Sequence, residues 1–301
     1  MAEPTGASTS QDAVASLSSP GDQIVRPARA LIGWLPQDRS LLLLNSGRAD
    51  VAPTDEQREI VAAARRSVGE REEMPDQTGV VEELPAGVLD EHVAKLKSGA
   101  AAPFFDEGWR VALADLARVC AFQPTVFTDS AAERAAGVDA TDLGQLAELT
   151  LPTDWNVEQQ AQFDESRNLW LLVSRNPNLK VVGRFAGPVQ PNAPPGFGFF
   201  VTVTPSFVQV ATYQGRHFLR DGYHRATGLL AAGARHVPVL ARTIGSIQEL
   251  VPQGMLPQEA YLGSTPPFMP DYADDTVAAT VHLPASQKMI VVQALELSPH
   301  G

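Results

Sequence analysis

Apolar residues recur at helical spacing through the first half of the chain and alternate in short runs through the second. Thr54-Asp55-Glu56-Gln57 has the form of a capping box. Ile60, Val61, Ala64 and Val68 follow it on one helical face, which predicts a helix from Asp55 to Val68. Leu89, Val93 and Leu96 predict a second helix. Val111, Leu113, Leu116, Val119 and Phe122 form a third helical stripe, and Thr141 to Leu149 a short fourth helix. The acidic stretch Gly69 to Glu83 reads as a solvated connection. Residues 23–165 are thus expected to be mainly helical. Residues 1–22 hold too few large apolar side chains to offset their ordering entropy and are expected to be a disordered tail.

The period then changes. Leu169 to Val173 and Leu179 to Phe185 are β-type runs around Arg175-Asn176-Pro177-Asn178, which predicts a hairpin. Ala186 to Gly196 reads as a Gly/Pro/Asn loop. Phe199 to Val203, Phe207 to Tyr213 and Arg216 to Arg220 are three further strand candidates, the last two joined at Gln214-Gly215. A helix from Tyr223 to Ala232 carries Ala226, Leu229 and Leu230 on one side, stops at Gly233 and leads into a strand, Val237 to Arg242. Residues 252–275 are Pro-rich and predict a long covering loop, and two strands, near Thr276 to Leu283 and Lys288 to Leu297, follow. The fold class expected is α+β, with a helical N-terminal region (23–165) and a mixed domain (166–301).

Composition narrows what such a chain can do. With 301 residues, 44% apolar and 19% charged, there is ample material for a core, and no run of about 18 apolar residues predicts a membrane span. Met1 to Ser10 include an acid and no apolar core of a secretory signal, so a cytoplasmic location without a membrane partner is expected. The lone Cys120 excludes an intrachain disulfide or a multi-thiolate metal site, and its place beside Leu116, Val119 and Phe122 reads as a core thiol. The net charge of −12 is uneven: residues 1–150 hold 13 basic and 24 acidic side chains, residues 151–301 hold 10 and 11. That acidity counts against a long grip on duplex DNA, which needs several Lys or Arg contacts to phosphates. It suits the first half to a protein partner instead.

One segment concentrates chemistry. Arg216-His217-Phe218-Leu219-Arg220-Asp221-Gly222-Tyr223-His224-Arg225 places three arginines, two histidines and a carboxylate where a strand meets a helix. From Gln214 to Arg242 there are five arginines and one acid, a local charge of +4. A helix N-terminus offers unpaired N–H groups, Gly222 permits close approach, and arginine grips phosphate through charge-assisted bonds of roughly 1.5–3 kcal/mol each. Plainer explanations stand beside this one: Asp221 as a helix N-cap and Arg225 as an exposed helix residue. The spacing of His217, Asp221 and His224 is no zinc pattern, and His236 would have to fold back to complete one. Trp34, Trp109, Trp155 and Trp170 are too scattered for a base-stacking platform and read as core or interface anchors.

Leu219 to Arg225, with Ala226, Gly233 and Val237-Pro238-Val239 behind it, resembles the signature segment of the ParB N-terminal/sulfiredoxin-like superfamily, of the D-G-x-H-R type. The resemblance spans Phe199 to Arg242, with the motif at 216–242, and leaves the first half unexplained. It implies a turn that takes nucleotide phosphates. Arg216, Arg220, Gly222, Tyr223, His224 and Arg225 would lie at the phosphates. Asp221 and His224 would be the catalytic candidates, with Asp221 holding Mg²⁺ brought by the nucleotide. Tyr223 stands where sulfiredoxins carry cysteine, which argues against sulfinic-acid reduction. Residues 243–301 lack the helix-turn-helix pattern of partitioning proteins. The expectation is a nucleotide-binding protein that hydrolyses a nucleoside triphosphate or transfers its phosphoryl group; the alternatives are a non-enzymatic interaction module or a DNA-processing factor.

Overall fold

Thr54 caps a helix as the sequence requires: its hydroxyl accepts the Gln57 N–H at 3.1 Å, and the Gln57 side chain accepts the Thr54 N–H at 2.9 Å. The computed structural model of the protein describes residues 25–153, 161–174, 178–188, 195–203, 206–250, 255–285 and 288–293. The predicted tail, Trp155 and the Arg175-to-Pro177 turn residues lie outside the described residues, as do parts of both predicted loops. The capped helix is α2 (Asp55–Gly69), after β1 (Val25–Ala30) and α1 (Gln37–Leu44). Then come β2 (Val81–Glu83), α3 (Asp90–Ser98), α4 (Ala102–Asp106), β3 (Arg110–Asp115), β4 (Thr125–Phe127), α5 (Thr128–Ala135) and α6 (Leu143–Thr150).

The second half supplies β5 (Gln162–Asp164), β6 (Leu169–Ser174), β7 (Leu179–Pro188), β8 (Pro195–Val203), β9 (Gln209–Tyr213) and β10 (Arg216–Asp221). It continues with α7 (Tyr223–Ala231), β11 (His236–Thr243), α8 (Gln258–Leu262), β12 (Ala279–Pro284) and β13 (Lys288–Gln293). The class is α+β. No helix among the described residues is long and apolar enough to cross a membrane.

The two halves are woven together, which departs from the expected division near residue 165. The central sheet runs β10-β9-β11-β3-β2, so β3 from the first half lies against β11 from the second, while β1 pairs with both β4 and β12. The third apolar stripe is correspondingly not a helix. Ala112 and Ala114 are the apolar residues β3 buries, and their alternation was masked by the larger Val111 and Leu113, which lie on the other face. The first half is therefore less helical than its periodicity implied.

A second departure lies in the pairing of β6 and β7. The sequence joins them as a hairpin, but β6 sits between β13 and β5, and β7 pairs with β8. The Gly/Pro segment 186–196 contributes Ala186 to Pro188 and Pro195-Gly196 to that ribbon. Within the Pro-rich stretch stand α8 and a 3-10 turn, Met269–Ala273.

The segment around residue 220 is fixed by tight packing. β9 and β10 turn at Gln214-Gly215 (φ 49° and 76°), β11 runs parallel to β9, and α7 connects β10 to β11. Gly228 lets α7 press on α5: a Cβ there would lie 2.1 Å from the Ala131 carbonyl oxygen. Phe122, Phe218 and Tyr261 close the core beneath, in edge-on and tilted contacts.

Candidate functional site

Arg225, the centre of the sequence argument for an anion site, is 5% exposed and turns inward from α7. Its Nη1 donates to the Leu149 and Thr150 carbonyls at 3.2 and 3.4 Å, and its Nη2 to Ser206 Oγ at 2.6 Å. Those carbonyls end α6, a helix with no basic residue in its own last turn. Arg225 thus supplies the positive charge that the exposed C-terminal carbonyls favour. Burial pushes its pKa down to about 10, with Arg134 adding to the effect, so it remains protonated at neutral pH.

His224 is also enlisted. Its Nε2 accepts the Phe127 N–H at 3.3 Å, and its ring lies parallel to that of Phe127 with centroids 6.1 Å apart. Burial, reinforced by Arg134 and Arg26, pushes its pKa down to about 4. At neutral pH it is an uncharged acceptor tied to β4, and the expected role of His224 as a phosphate donor is not what its contacts serve. Tyr223 is buried; its hydroxyl accepts the Phe122 and Gln123 N–H groups at 3.0 and 3.3 Å, and burial raises its pKa.

Gly222 occupies the N-cap position at φ 93°. A Cβ there would come within 2.8 Å of Val208 Cγ2 and 2.9 Å of its Cα, so glycine serves the close approach of Val208, just ahead of β9, to the turn. Asp221 is not the cap. Its Oδ1 accepts the Gly222 N–H at 2.6 Å, and its Oδ2 accepts the Ser206 hydroxyl at 3.3 Å. Ser206 bridges Asp221 to Arg225, and no spacing rule marked it, since it lies 15 residues ahead of Asp221.

Arg216 and Arg220 occupy different places. Arg216 Nη1 donates to the Tyr261 and Gly263 carbonyls at 3.3 and 2.6 Å, binding β10 to the end of α8. Arg220 is half-buried; its Nη1 donates to Gln209 Oε1 at 2.7 Å, and its guanidinium stands 5.3 Å from the Trp109 ring centroid. The Trp109 Nε1 is buried with no partner.

The local charge of +4 is met from elsewhere in the chain. Arg235 makes a two-point bond to Asp115 at 2.7 and 2.8 Å, and Arg242 lies 3.2 Å from Glu249 and 3.8 Å from Glu107. Burial alone would raise the Asp115 carboxyl, but the Arg235 bonds prevail and hold it below the usual range. Arg216, Arg220 and Arg225 are met by neutral carbonyl, amide and hydroxyl oxygens and Arg235 and Arg242 by carboxylates, so the five arginines adjacent in sequence form no shared cationic cluster.

Among the described residues no three His, Cys, Asp or Glu side chains gather as a metal group. Asp221 is the one carboxylate of the motif, and both its oxygens are engaged. Cys120 is a buried core thiol whose pKa burial lifts to about 12. Trp34 and Trp109 are core residues, whereas Trp170 is 51% exposed on β6.

Comparison with family models, with curated proteins and with solved structures returns no match.

Proposed function

We propose that this chain is a non-enzymatic protein-interaction module, in which the D-G-Y-H-R turn is a structural joint and the binding surface lies on β5 to β8 and on β13. The supporting observation is where apolar surface is left uncovered. Thirteen large apolar side chains are exposed among the described residues, and ten of them lie on β5, β6, β7, β8 and β13. Phe197, Phe199 and Phe200 on β8 are 61%, 46% and 57% exposed.

The ribbon's pairing explains the pattern. Phe197 stands opposite Ala186 and Phe199 opposite Arg184, while Val181 and Val201 continue the same face. A two-stranded ribbon is marginal in water on its own, and covering each such side chain contributes roughly 1.5–3 kcal/mol. Lys180 and Arg184 are the only charged residues between Leu179 and Val203, which suits a partner with an apolar face and an acidic rim. The expected docking through the acidic first half is the weaker form of this proposal, because the apolar surface lies elsewhere.

A photo-crosslinking side chain placed at Phe199 in the full-length protein tests the proposal. Discrete adducts at position 199, absent when the group is placed at Glu59 on α2, are expected. Equal or absent adducts at both positions would defeat it.

A second proposal, nucleotide or phosphate binding at the β10–α7 turn, draws on Arg220. It is half-buried at the strand end beside α7, whose first intrahelical bond is Ala226 N–H to Gly222 C=O. Tyr223, His224 and Arg225 N–H groups precede that ladder. Thermal unfolding with ATP, ADP, CTP and GTP, with and without Mg²⁺, tests it. A base-selective shift lost in Arg220→Ala would favour it, and no shift would remove it.

A further inference from the structure

A cleft of about 400 Å³ opens far from the D-G-Y-H-R turn in sequence, where three stretches of chain meet: Gly33 to Pro36, the α2 residues Arg65 and Val68, and Pro257 to Thr265 around α8. Its walls are built by specific bonds. The Trp34 indole N–H donates to the Thr265 carbonyl at 2.8 Å, joining two of the stretches. Arg71 stands 5.0 Å from the Trp34 ring centroid, and a two-point bond to Asp271 at 2.8 Å holds it there. Gly33 is pinned through its N–H to the Val277 carbonyl at 3.0 Å. Trp34, Pro36, Val68 and Pro257 give the cleft an apolar lining of a size suited to a small molecule.

Two opposite charges complete it. Arg65 Nη1 donates to the Leu35 carbonyl at 2.7 Å, which orients the guanidinium while leaving Nε and Nη2 for another acceptor. Glu259, in the first turn of α8, lines the same cleft, and the two side chains make no ion pair with each other. A cation and an anion that line one apolar cleft without pairing match a molecule that carries both charges and an apolar group. We propose that this cleft binds a small apolar zwitterion, a free amino acid or a dipeptide, with its carboxylate on Arg65, its ammonium on Glu259 and its side chain against Trp34 and Val68.

Thermal unfolding and calorimetric titration of the full chain test this with L-leucine, L-phenylalanine and Leu-Leu at up to about 10 mM, a range that reveals even weak binding. N-acetyl-L-leucine, which lacks the ammonium, and L-leucinamide, which lacks the carboxylate, are the controls. The proposal expects the intact zwitterions to raise the midpoint and each control to bind at least about tenfold more weakly. Glu259→Gln, an exposed and mild change, should abolish the preference for L-leucine over its N-acetyl form, and Arg65→Gln the preference over the amide. No binding of any zwitterion by the wild type would overturn the proposal. So would binding that both variants retain in full, or controls that bind as well as the amino acids.

Discussion

Gly222 lies so close to Val208 that a Cβ would sit 2.8 Å from the valine Cγ2, which makes the most ligand-like glycine of the sequence a packing residue. Its φ of 93° adds a conformation that L side chains rarely adopt. Gly222→Ala should therefore destabilise the protein by at least about 2 kcal/mol, from backbone strain and overpacking together. Urea unfolding measures this directly. A neutral substitution would show that the turn has room to spare.

Arg225 offers a sharper distinction between joint and ligand site. Arg225→Ala strips donors from the Leu149 and Thr150 carbonyls and from Ser206, and should cost about 2–4 kcal/mol. A ligand-binding arginine on a surface would cost less than about 0.5 kcal/mol when removed. Equilibrium unfolding of the variant at neutral pH separates the two cases.

His224 sets a pH dependence. Burial holds its folded pKa at about 4 against an ordinary value of 6.5, so the unfolded chain takes up the proton first as pH falls. Above about pH 6.5 both states are neutral and the group contributes nothing. Stability then falls as pH drops from 6.5 and levels off below about 4, with a total loss of at most about 3 kcal/mol from this residue. In His224→Gln, which retains an acceptor for the Phe127 N–H, the difference in unfolding free energy between pH 7 and pH 5 should shrink. An undiminished difference would mean that His224 is free to charge in the folded state.

Cys120 is 0% exposed, and burial lifts its pKa to about 12. A thiol reagent at pH 8 should label it at the rate of opening of the folded chain, and rapidly in denaturant. Fast labelling of the native protein would contradict a closed core at Phe122 and Phe218.

Local signals were legible in the sequence and long-range ones were not. The capping box at Thr54, the strand-helix-strand order around α7 and the turn at Gln214-Gly215 are each written within a few neighbouring residues. β3 escaped because small Ala112 and Ala114 carry its buried face, and the partners of β6 and β7 depend on pairings that no local pattern encodes. The site was misjudged for the same reason. Thr150 and Asp115, which accept bonds from Arg225 and Arg235, lie 75 and 120 positions away, so a cluster of cations in sequence became a set of separate bonds in space.

The ribbon variant Phe197→Ser with Phe199→Ser should leave the unfolding free energy within about 0.5 kcal/mol of wild type, because both side chains are already exposed. Its effect should appear only in association.

The most direct test of the central claim compares that ribbon variant with Arg220→Ala by sizing the full-length protein in extracts of the cells that make it. The account predicts a wild-type complex heavier than the 32.2 kDa chain, a monomer for the ribbon variant and an unchanged complex for Arg220→Ala. A complex that survives loss of both phenylalanines, or one that dissolves when Arg220 is removed, would contradict it.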